Sequence, residues 1–500
     1  MAGRPIDFKF VDNREYIFSP ESGKVLVDST KVESRQPLSI WGGDKSWIDP
    51  STWISLSCDV QEGVKGVRGG GIYILREDGY SHDTQDPFLS ATLRRDGGFS
   101  LATGNLIGSV SRRNNDGSLA GTVTIGSRFG DSFLRHIVSD ADGFAALRNM
   151  GGVSNSEDGY DWLLGYYWNV RLQHAFRLGM PKCYRGRTEL LSSVRGNVDV
   201  VDYYGYSQRG RARCAYRELS YDNPAAELFV AAWDVLNRRP STSVFCSKTV
   251  GIYQAFVQAV GGRIGKRKEL LGVGHFRNAF YADYNSLIDL SKSILRDWGD
   301  DFSVKEKADA VLFDMSMLYE YFLRKLFSRK GIKLVRKEHE YYRIPTCPLV
   351  GQYSRKLIPD LVFDLGEHVA VFDAKYKYYN EKYGVSREDV FQLHTYIGQY
   401  GNESPITACG FIYPILESRW CKIRNGVDLS RVVLSEPLCQ QGRELRFIVA
   451  FLVVPDSVMR ENDEDRMLTD EEFRCQFQPW VNRLVDQLFG LVSPKRNAAS

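Results

Sequence analysis

The sequence predicts a multidomain α+β protein in three parts: a β-rich N-terminal domain over residues 1–150, a mixed basic-strand and helical region over 151–300, and a C-terminal α/β core over 301–490, followed by a polar tail, 491–500. Three observations carry this. The chain has 500 residues, more than one hydrophobic core usually supports. Short alternating segments crowd the first third, whereas helical periodicities begin near Trp162. A hairpin of alternating apolar residues, Ile358 to Lys375, then stands between two helical stretches.

Each part follows from its own residues. In the first, Gly71-Ile72-Tyr73-Ile74-Leu75 and Gly121-Thr122-Val123-Thr124-Ile125 are short runs rich in β-branched and aromatic residues, as strands are. Ser109 to Ser118, with Arg112, Arg113 and an Asp116-Gly117 step, has hairpin-tip chemistry; it is either a projecting basic finger or an ordinary solvated turn. In the second part Trp162 to Leu178 reads as a helix, and Asn223-Pro224 opens another that runs to Leu236. Residues 250–300 are helical again, with Leu287, Leu290 and Ile294 on one stripe. In the third part, Ala308 to Lys330 carries a helical stripe through Val311, Leu312, Met315, Leu318, Tyr319, Phe322, Leu323 and Leu326. Glu320 lies off it, with Phe313, Met317 and Phe327, and a carboxylate among large apolar groups needs a partner. Arg324, one turn on, is one candidate.

The hairpin is the most informative stretch. A two-residue Gly366-Glu367 turn, with Gly first as type II′ prefers, pairs Leu365 with His368 and therefore Asp360 with Asp373. Directly opposed residues have Cβ atoms roughly 4.5–5.5 Å apart. Alternation sends Val369, Val371, Asp373 and Lys375 to one face and Ala370, Phe372 and Ala374 to the other. Two opposed like charges destabilise a sheet unless a cation sits between them, so the pattern argues for a hard divalent ion such as Mg²⁺, with Lys375 beside it. There the lysine can orient or help deprotonate an attacking water near a phosphate. The alternative is a solvated hairpin with ordinary surface charges. Downstream, Ser386 with Asp389 three residues on caps a helix that places Gln392 and Tyr396 one turn apart on one face.

Composition sets the frame. The hydrophobic fraction is 43% and the net charge only +3, so a phosphate-binding surface must be a local patch. Arg185, Arg187, Arg195, Arg209, Arg211, Arg213 and Arg217 form one candidate and Gly265-Lys266-Arg267-Lys268 another; each reads equally as a solvated basic loop. Nine cysteines without a C-x-x-C pair argue against both zinc and a disulfide framework. Met1 to Asp7 lacks the apolar core of a signal peptide and no run reaches the length of a membrane span, so a cytoplasmic setting is expected. The nearest approach to a Walker A loop, Gly261 to Arg267, has the wrong Gly spacing and no Ser or Thr after Lys266, so no nucleotide should be bound by this chain itself.

These residues resemble known nucleases. The hairpin matches the PD-(D/E)xK pattern, which implies a restriction-endonuclease-like α/β core, and Gln392 to Tyr396 resembles the Q-x-x-x-Y motif of RecB-like nucleases. In that superfamily a helical Glu before the hairpin often completes the metal shell, which would make Glu320 a ligand with Asp360 and Asp373. A closer resemblance, to the McrC family of McrBC-type modification-dependent restriction systems, runs from about Gly121 to Pro414. It is carried in order by Ile125 to Asp131 with Phe133-Leu134, Ser193 to Val200, Tyr216 to Pro224, Met315 to Glu320, and the hairpin with the Gln392 region. The sequence departs from the pattern at Ala225-Ala226-Glu227 and through its first hundred residues. The resemblance implies a Mg²⁺-dependent endonuclease, with Mn²⁺ as a substitute, acting on modified double-stranded DNA. It would be bound through its N-terminal domain to an McrB-like AAA+ GTPase hexamer, with Asp360, Asp373 and Lys375 catalytic and Gln392 and Tyr396 steadying the strand. Two other readings stand beside it: an autonomous RecB-like nuclease of another defence or repair system, and a non-catalytic activator of a ring NTPase.

Overall fold

The structure, a computed structural model, describes residues 6–18, 25–27, 72–75, 88–93, 95, 99–113, 119–142, 161–198, 204, 210–298, 310–335, 342–345, 354–401, 404–440, 443–456, 458–461 and 464–492. Helix and sheet are mixed, with several small sheets, and the contacts divide the chain into two compact units. One comprises residues 1–111, 120–154 and 310–500, the other 112–119 and 155–309. The tip 114–118 of the predicted basic finger lies outside the described residues.

In the first unit, the strands Ile6–Val11, Leu119–Gly126, Leu106–Arg113, Ala310–Asp314 and Ile72–Leu75 form one sheet in that order. The fourth corrects the sequence reading, in which 308–330 was a single helical stripe. Ala310-Val311-Leu312-Phe313 pairs antiparallel with Leu106–Arg113 and parallel with Ile72–Leu75. The apolar run fits a doubly covered strand as well as a helix, and Asp314 decides the boundary: its side chain accepts from the Ser316 amide at 2.9 Å, capping a helix that starts at Met315. Phe313 therefore lies in the strand and not on Glu320's helical stripe.

The core of this unit is a five-stranded mixed sheet in the order Leu361–Asp364, Val369–Ala374, Ile406–Leu416, Arg443–Val454, Val433–Gln440. Its central three strands run parallel, and the outer two close it antiparallel. One face carries Phe363 and Phe372, against which Phe327 of the helix Met315–Arg329 packs, its ring 5.0 Å from that of Phe363. The other carries Val362, Val369 and Val371, which bury Tyr396 and Tyr400 of the helix Arg387–Tyr400. Helices thus cover both faces.

Aromatic rings tie the helix Asp131–Asp142 to this core: Phe133 lies 5.8 Å from Phe477 and Phe129 lies 5.5 Å from Tyr376, the residue after Lys375. Arg135 on the same helix makes a bidentate contact with Asp470, its Nε at 3.0 Å from both oxygens, with both side chains nearly buried. Arg135→Ala strands Asp470 without its partner and is expected to cost about 3 kcal/mol, read as a lower urea midpoint with unchanged slope.

The second unit is the helical middle region with one small sheet. The helices Asp161–Phe176, Pro224–Asn237 and Asp283–Trp298 form its core, close to the predicted spans. The Asp222-Asn223-Pro224 step proves architectural here: Asn223 caps the second helix, accepting from Ala226 N at 3.0 Å and donating to the carbonyls of Pro181 and Tyr221 at 2.9 Å. Two arginines of the basic patch make ion pairs, Arg185 with Asp222, which also pairs with Arg263 outside the patch, and Arg187 with Glu218 at 2.7 Å. Gly261 and Gly262 of the glycine-rich loop, both at positive φ, end a helix. Among the described residues Cys183, Cys214, Cys246, Cys409, Cys421 and Cys475 are free thiols, and no helix is long and apolar enough to cross a membrane.

Candidate active site

The hairpin forms in the register its turn dictates. Asp364 opposes Val369 and Leu361 opposes Phe372, while the Leu365 amide donates to the His368 carbonyl at 2.9 Å. Gly366 sits at φ +91°, a region open to glycine and required at the first position of a type II′ turn. One step further the register sets Asp360 opposite Asp373. The Asp360 carboxylate accepts from the Ala374 amide at 2.8 Å, and the Asp360 carbonyl accepts from Arg324 Nη1 at 2.6 Å, so both sides of the residue are held.

Asp373 is only 2% exposed. Burial, and then the charge of Asp360 alongside, push its carboxyl up to about 8. A hydrogen bond joins the two carboxyl groups. Lys375 reaches back to Asp373 in an ion pair and lies 3.3 Å from Asp389. Burial alone would lower the proton affinity of this lysine, but Asp373 first and then Asp389 and Asp360 outweigh it, so the ammonium keeps its proton above the usual range. At neutral pH this side chain is an ammonium cation.

The helix Arg387–Tyr400 completes the arrangement. Lys375 Nζ donates to Gln392 Oε1 at 2.7 Å, and Gln392 Nε2 donates to the Tyr396 hydroxyl at 2.7 Å. Because Tyr396 takes the amide nitrogen, the amide oxygen must face the lysine. Asp373, Lys375, Gln392 and Tyr396 are thus one hydrogen-bonded line. Glu320 lies on the other helix, Met315–Arg329. It is half-buried one turn before Arg324, on the helix that packs against the Phe363 face, and among the described residues no three Asp, Glu, His or Cys side chains converge as metal ligands.

Two residues were missed from the sequence. Asp389, read there only as part of a cap, accepts from the Ser386 hydroxyl at 2.6 Å and pairs with both Lys375 and Lys377. Burial would raise its carboxyl, but the bonds from Lys377 and Ser386 hold it below the usual carboxylate range. Lys377 lies beyond the strand, where its amide turns back to the Lys375 carbonyl at 2.8 Å, so strand alternation does not place it.

The raised proton affinity of Asp373 has a pH signature. The folded, metal-free protein holds a proton there that the unfolded chain releases near the ordinary carboxylate value, so stability falls as pH rises toward about 8. The urea midpoint of the metal-free protein should therefore decline over that window, and Asp373→Asn should remove that part of the decline.

The profile describing the McrBC 5-methylcytosine restriction system component matches residues 101–414, more than half of the chain. The chain belongs to that family. The matched span covers the strands of the N-terminal sheet nearest the core, the whole second unit, and the McrBC-family hairpin with its Gln392 helix. Two solved assemblies from Thermococcus gammatolerans are also similar. One is a refined half-complex from a tetradecameric assembly of McrB AAA+ hexamers with bound McrC, 14% identical, covering 96% of this chain and 100% of that one with a TM-score of 0.47. The other is a cryo-EM structure of the McrBC complex, 15% identical, covering 66% of this chain and 90% of that one with a TM-score of 0.33. Both scores lie below one half, so membership rests on the family match. No curated protein sequence matches significantly.

Proposed function

We propose that this chain is the DNA-cutting subunit of an McrBC-type restriction system, hydrolysing a phosphodiester with Mg²⁺ between Asp360 and Asp373. The observation that carries the reading is the line from Asp373 through Lys375 and Gln392 to Tyr396, beside a second carboxylate in register. A mixed sheet covered by helices on both faces supports the PD-(D/E)xK core that the hairpin motif implies.

The donor set fits the ion. Mg²⁺ prefers oxygen ligands, keeps several waters and is commonly held by one or two carboxylates plus substrate phosphate, and the buried Asp373 carboxyl, pushed up by burial and by the charge of half-buried Asp360, marks a site short of positive charge. When bound, Mg²⁺ supplies the Lewis acidity that draws charge off the phosphate. Everything else falls to the chain. Lys375 places a permanent positive charge and up to three donors where charge develops on the phosphate oxygens. Gln392 fixes the lysine's direction by taking one of those protons, and Tyr396 fixes Gln392. Arg324 holds Asp360 through its carbonyl and the Ala374 amide holds its carboxylate, so the residue is fixed opposite Asp373. Glu320 enters the proposal as a further acidic group on the helix that supplies this clamp.

Because the chain belongs to the McrBC restriction-component family, and one similar solved assembly is described as McrB AAA+ hexamers with bound McrC, a partner of that kind is proposed for this chain: an McrB-like GTPase or related NTPase hexamer that engages modified double-stranded DNA and leaves the cut to this subunit. The test is Mg²⁺-dependent cleavage of methylated and unmethylated plasmid by this chain with the NTPase encoded beside it, supplied with GTP or ATP. Partner- and nucleotide-dependent cutting that Asp373→Ala abolishes is the expected result. Stimulated nucleotide hydrolysis without any cutting would refute the nuclease reading.

A further inference from the structure

Beside the line of catalytic candidates lies a cavity of about 480 Å³ that the proposed chemistry does not use. It is lined by Lys377, Arg387, Ser386, Tyr383, Asn380 and Tyr413 among others, all on the segment after the hairpin, the amino end of the helix Arg387–Tyr400 and the central strand Ile406–Leu416.

Three features point to an anionic occupant. The amino end of a 14-residue helix, capped by Ser386, faces the cavity with the positive end of its dipole. Two cations flank it: Lys377, and Arg387, which makes no ion pair among the described residues and lies 5.1 Å over the Phe391 ring. Of the carboxylates near it, Asp389 is shared between Lys375 and Lys377 and Glu381 pairs with Arg419, while Glu388 lies beside Arg387 in the first helical turn. The third feature is Tyr413. It is 1% exposed and lines the cavity, yet its hydroxyl has no hydrogen-bond partner among the described residues. A buried phenol without a partner is destabilising, and an incoming acceptor removes that cost.

The position suggests which anion. Asp389 bridges the two lysines, one oxygen toward each, so the Lys377 ammonium at the cavity and the Lys375 ammonium are separated by two ion-pair contacts and the carboxylate between them. That is of the order of the step between neighbouring phosphates on a nucleic-acid strand. Tyr383, 75% exposed at the rim, offers an uncovered ring to the sugar or base attached to such a phosphate.

We propose that this cavity seats a phosphodiester of the substrate DNA strand flanking the one that is cut, with Arg387, Lys377 and the helix amino end holding the charge and the Tyr413 hydroxyl donating to a phosphate oxygen. The inference rests on the proposed nuclease function and adds the residues that set the strand's register. Such a contact anchors the strand without reading its sequence.

The test uses the full chain and a fluorescein-labelled DNA duplex, with binding followed over a salt series in Ca²⁺ to prevent cutting. Arg387→Ala should weaken binding equally for any sequence and lower the slope of log K against log salt by about 1. Tyr413→Phe, which removes only the unpartnered hydroxyl, should weaken binding about 3- to 10-fold with the slope unchanged, while thermal stability stays level or rises. A structural role for the hydroxyl would instead lower stability and leave binding alone. Both variants binding like the wild type would overturn the inference, including the case in which the cavity takes a free nucleotide; if Asp373→Ala still abolished cutting, the nuclease reading would survive. A wild-type chain that binds no duplex at any salt, alone or with its NTPase partner, would overturn both.

Discussion

Asp373→Asn is expected to abolish DNA cleavage and, at the same time, to make the metal-free protein more stable. The two effects have one cause. Asp373 is buried against Asp360 with its carboxyl pushed far up by burial and by that neighbour, so its charged form is tolerated only when a cation compensates it. Asparagine keeps the shape and can still accept from Lys375, but it brings no charge to repel Asp360 and none to hold Mg²⁺. Cutting should fall at least about 10³-fold, the loss expected when some 4 kcal/mol of electrostatic stabilisation is removed. Stability near neutral pH should rise by about 1 kcal/mol, roughly 2–4 °C in melting temperature for a domain of this size. A purely structural carboxylate, held in place by its ion pair, would give the opposite sign on stability. Calorimetry of the two metal-free proteins at one pH, beside the cleavage assay, decides it.

Gly410→Ala should unfold the core. Gly410 lies in the middle of the central strand, opposite Phe372 on one side and Ile448 on the other. A methyl group built there would come within 1.8 Å of the Ile448 carbonyl oxygen. No rotamer relieves a clash with backbone, so two paired strands must part and their hydrogen bonds with them. The expected cost exceeds about 3 kcal/mol, a large fraction of the stability of a typical domain. Loss of the folded fraction in far-ultraviolet circular dichroism and a protease-sensitive 310–492 region would meet this expectation, whereas a wild-type melting curve would show that the strand spacing is not as tight as described.

The candidate site was more legible in the sequence than the architecture around it. A two-residue turn beginning with glycine fixes a hairpin register completely, so the pairing that puts Asp360 across from Asp373 could be counted before any fold was known. The Ser386 cap and the one-turn spacing of Gln392 and Tyr396 are equally local, and both appear as read. What failed was non-local. Ala310 to Phe313 carries apolar residues that suit a helix or a doubly covered strand, and only its pairing with Leu106–Arg113 and Ile72–Leu75, more than two hundred residues away, selects the strand. Asp389 is a similar case: its cap role is written in three consecutive residues, but its bridging of Lys375 and Lys377 depends on how the helix docks on the sheet. Periodicity placed Glu320 on a buried helix without showing which sheet face that helix covers. The arginines between 185 and 217 show the reverse, a sequence-level patch whose partners Asp222 and Glu218 sit across a strand pair or a turn and take up part of the charge.

The most direct measurement is single-turnover cleavage of a methylated plasmid by the assembled complex carrying Lys375→Met, with nucleotide hydrolysis and DNA binding followed in the same samples. Methionine keeps the length of the side chain and removes the cation that ties Asp373 to Gln392. The account predicts that cutting falls by about 10²- to 10³-fold while DNA binding and nucleotide hydrolysis stay close to wild type. Cleavage at the wild-type rate would contradict it, because the paired carboxylates and their lysine would then not be where the strand is cut.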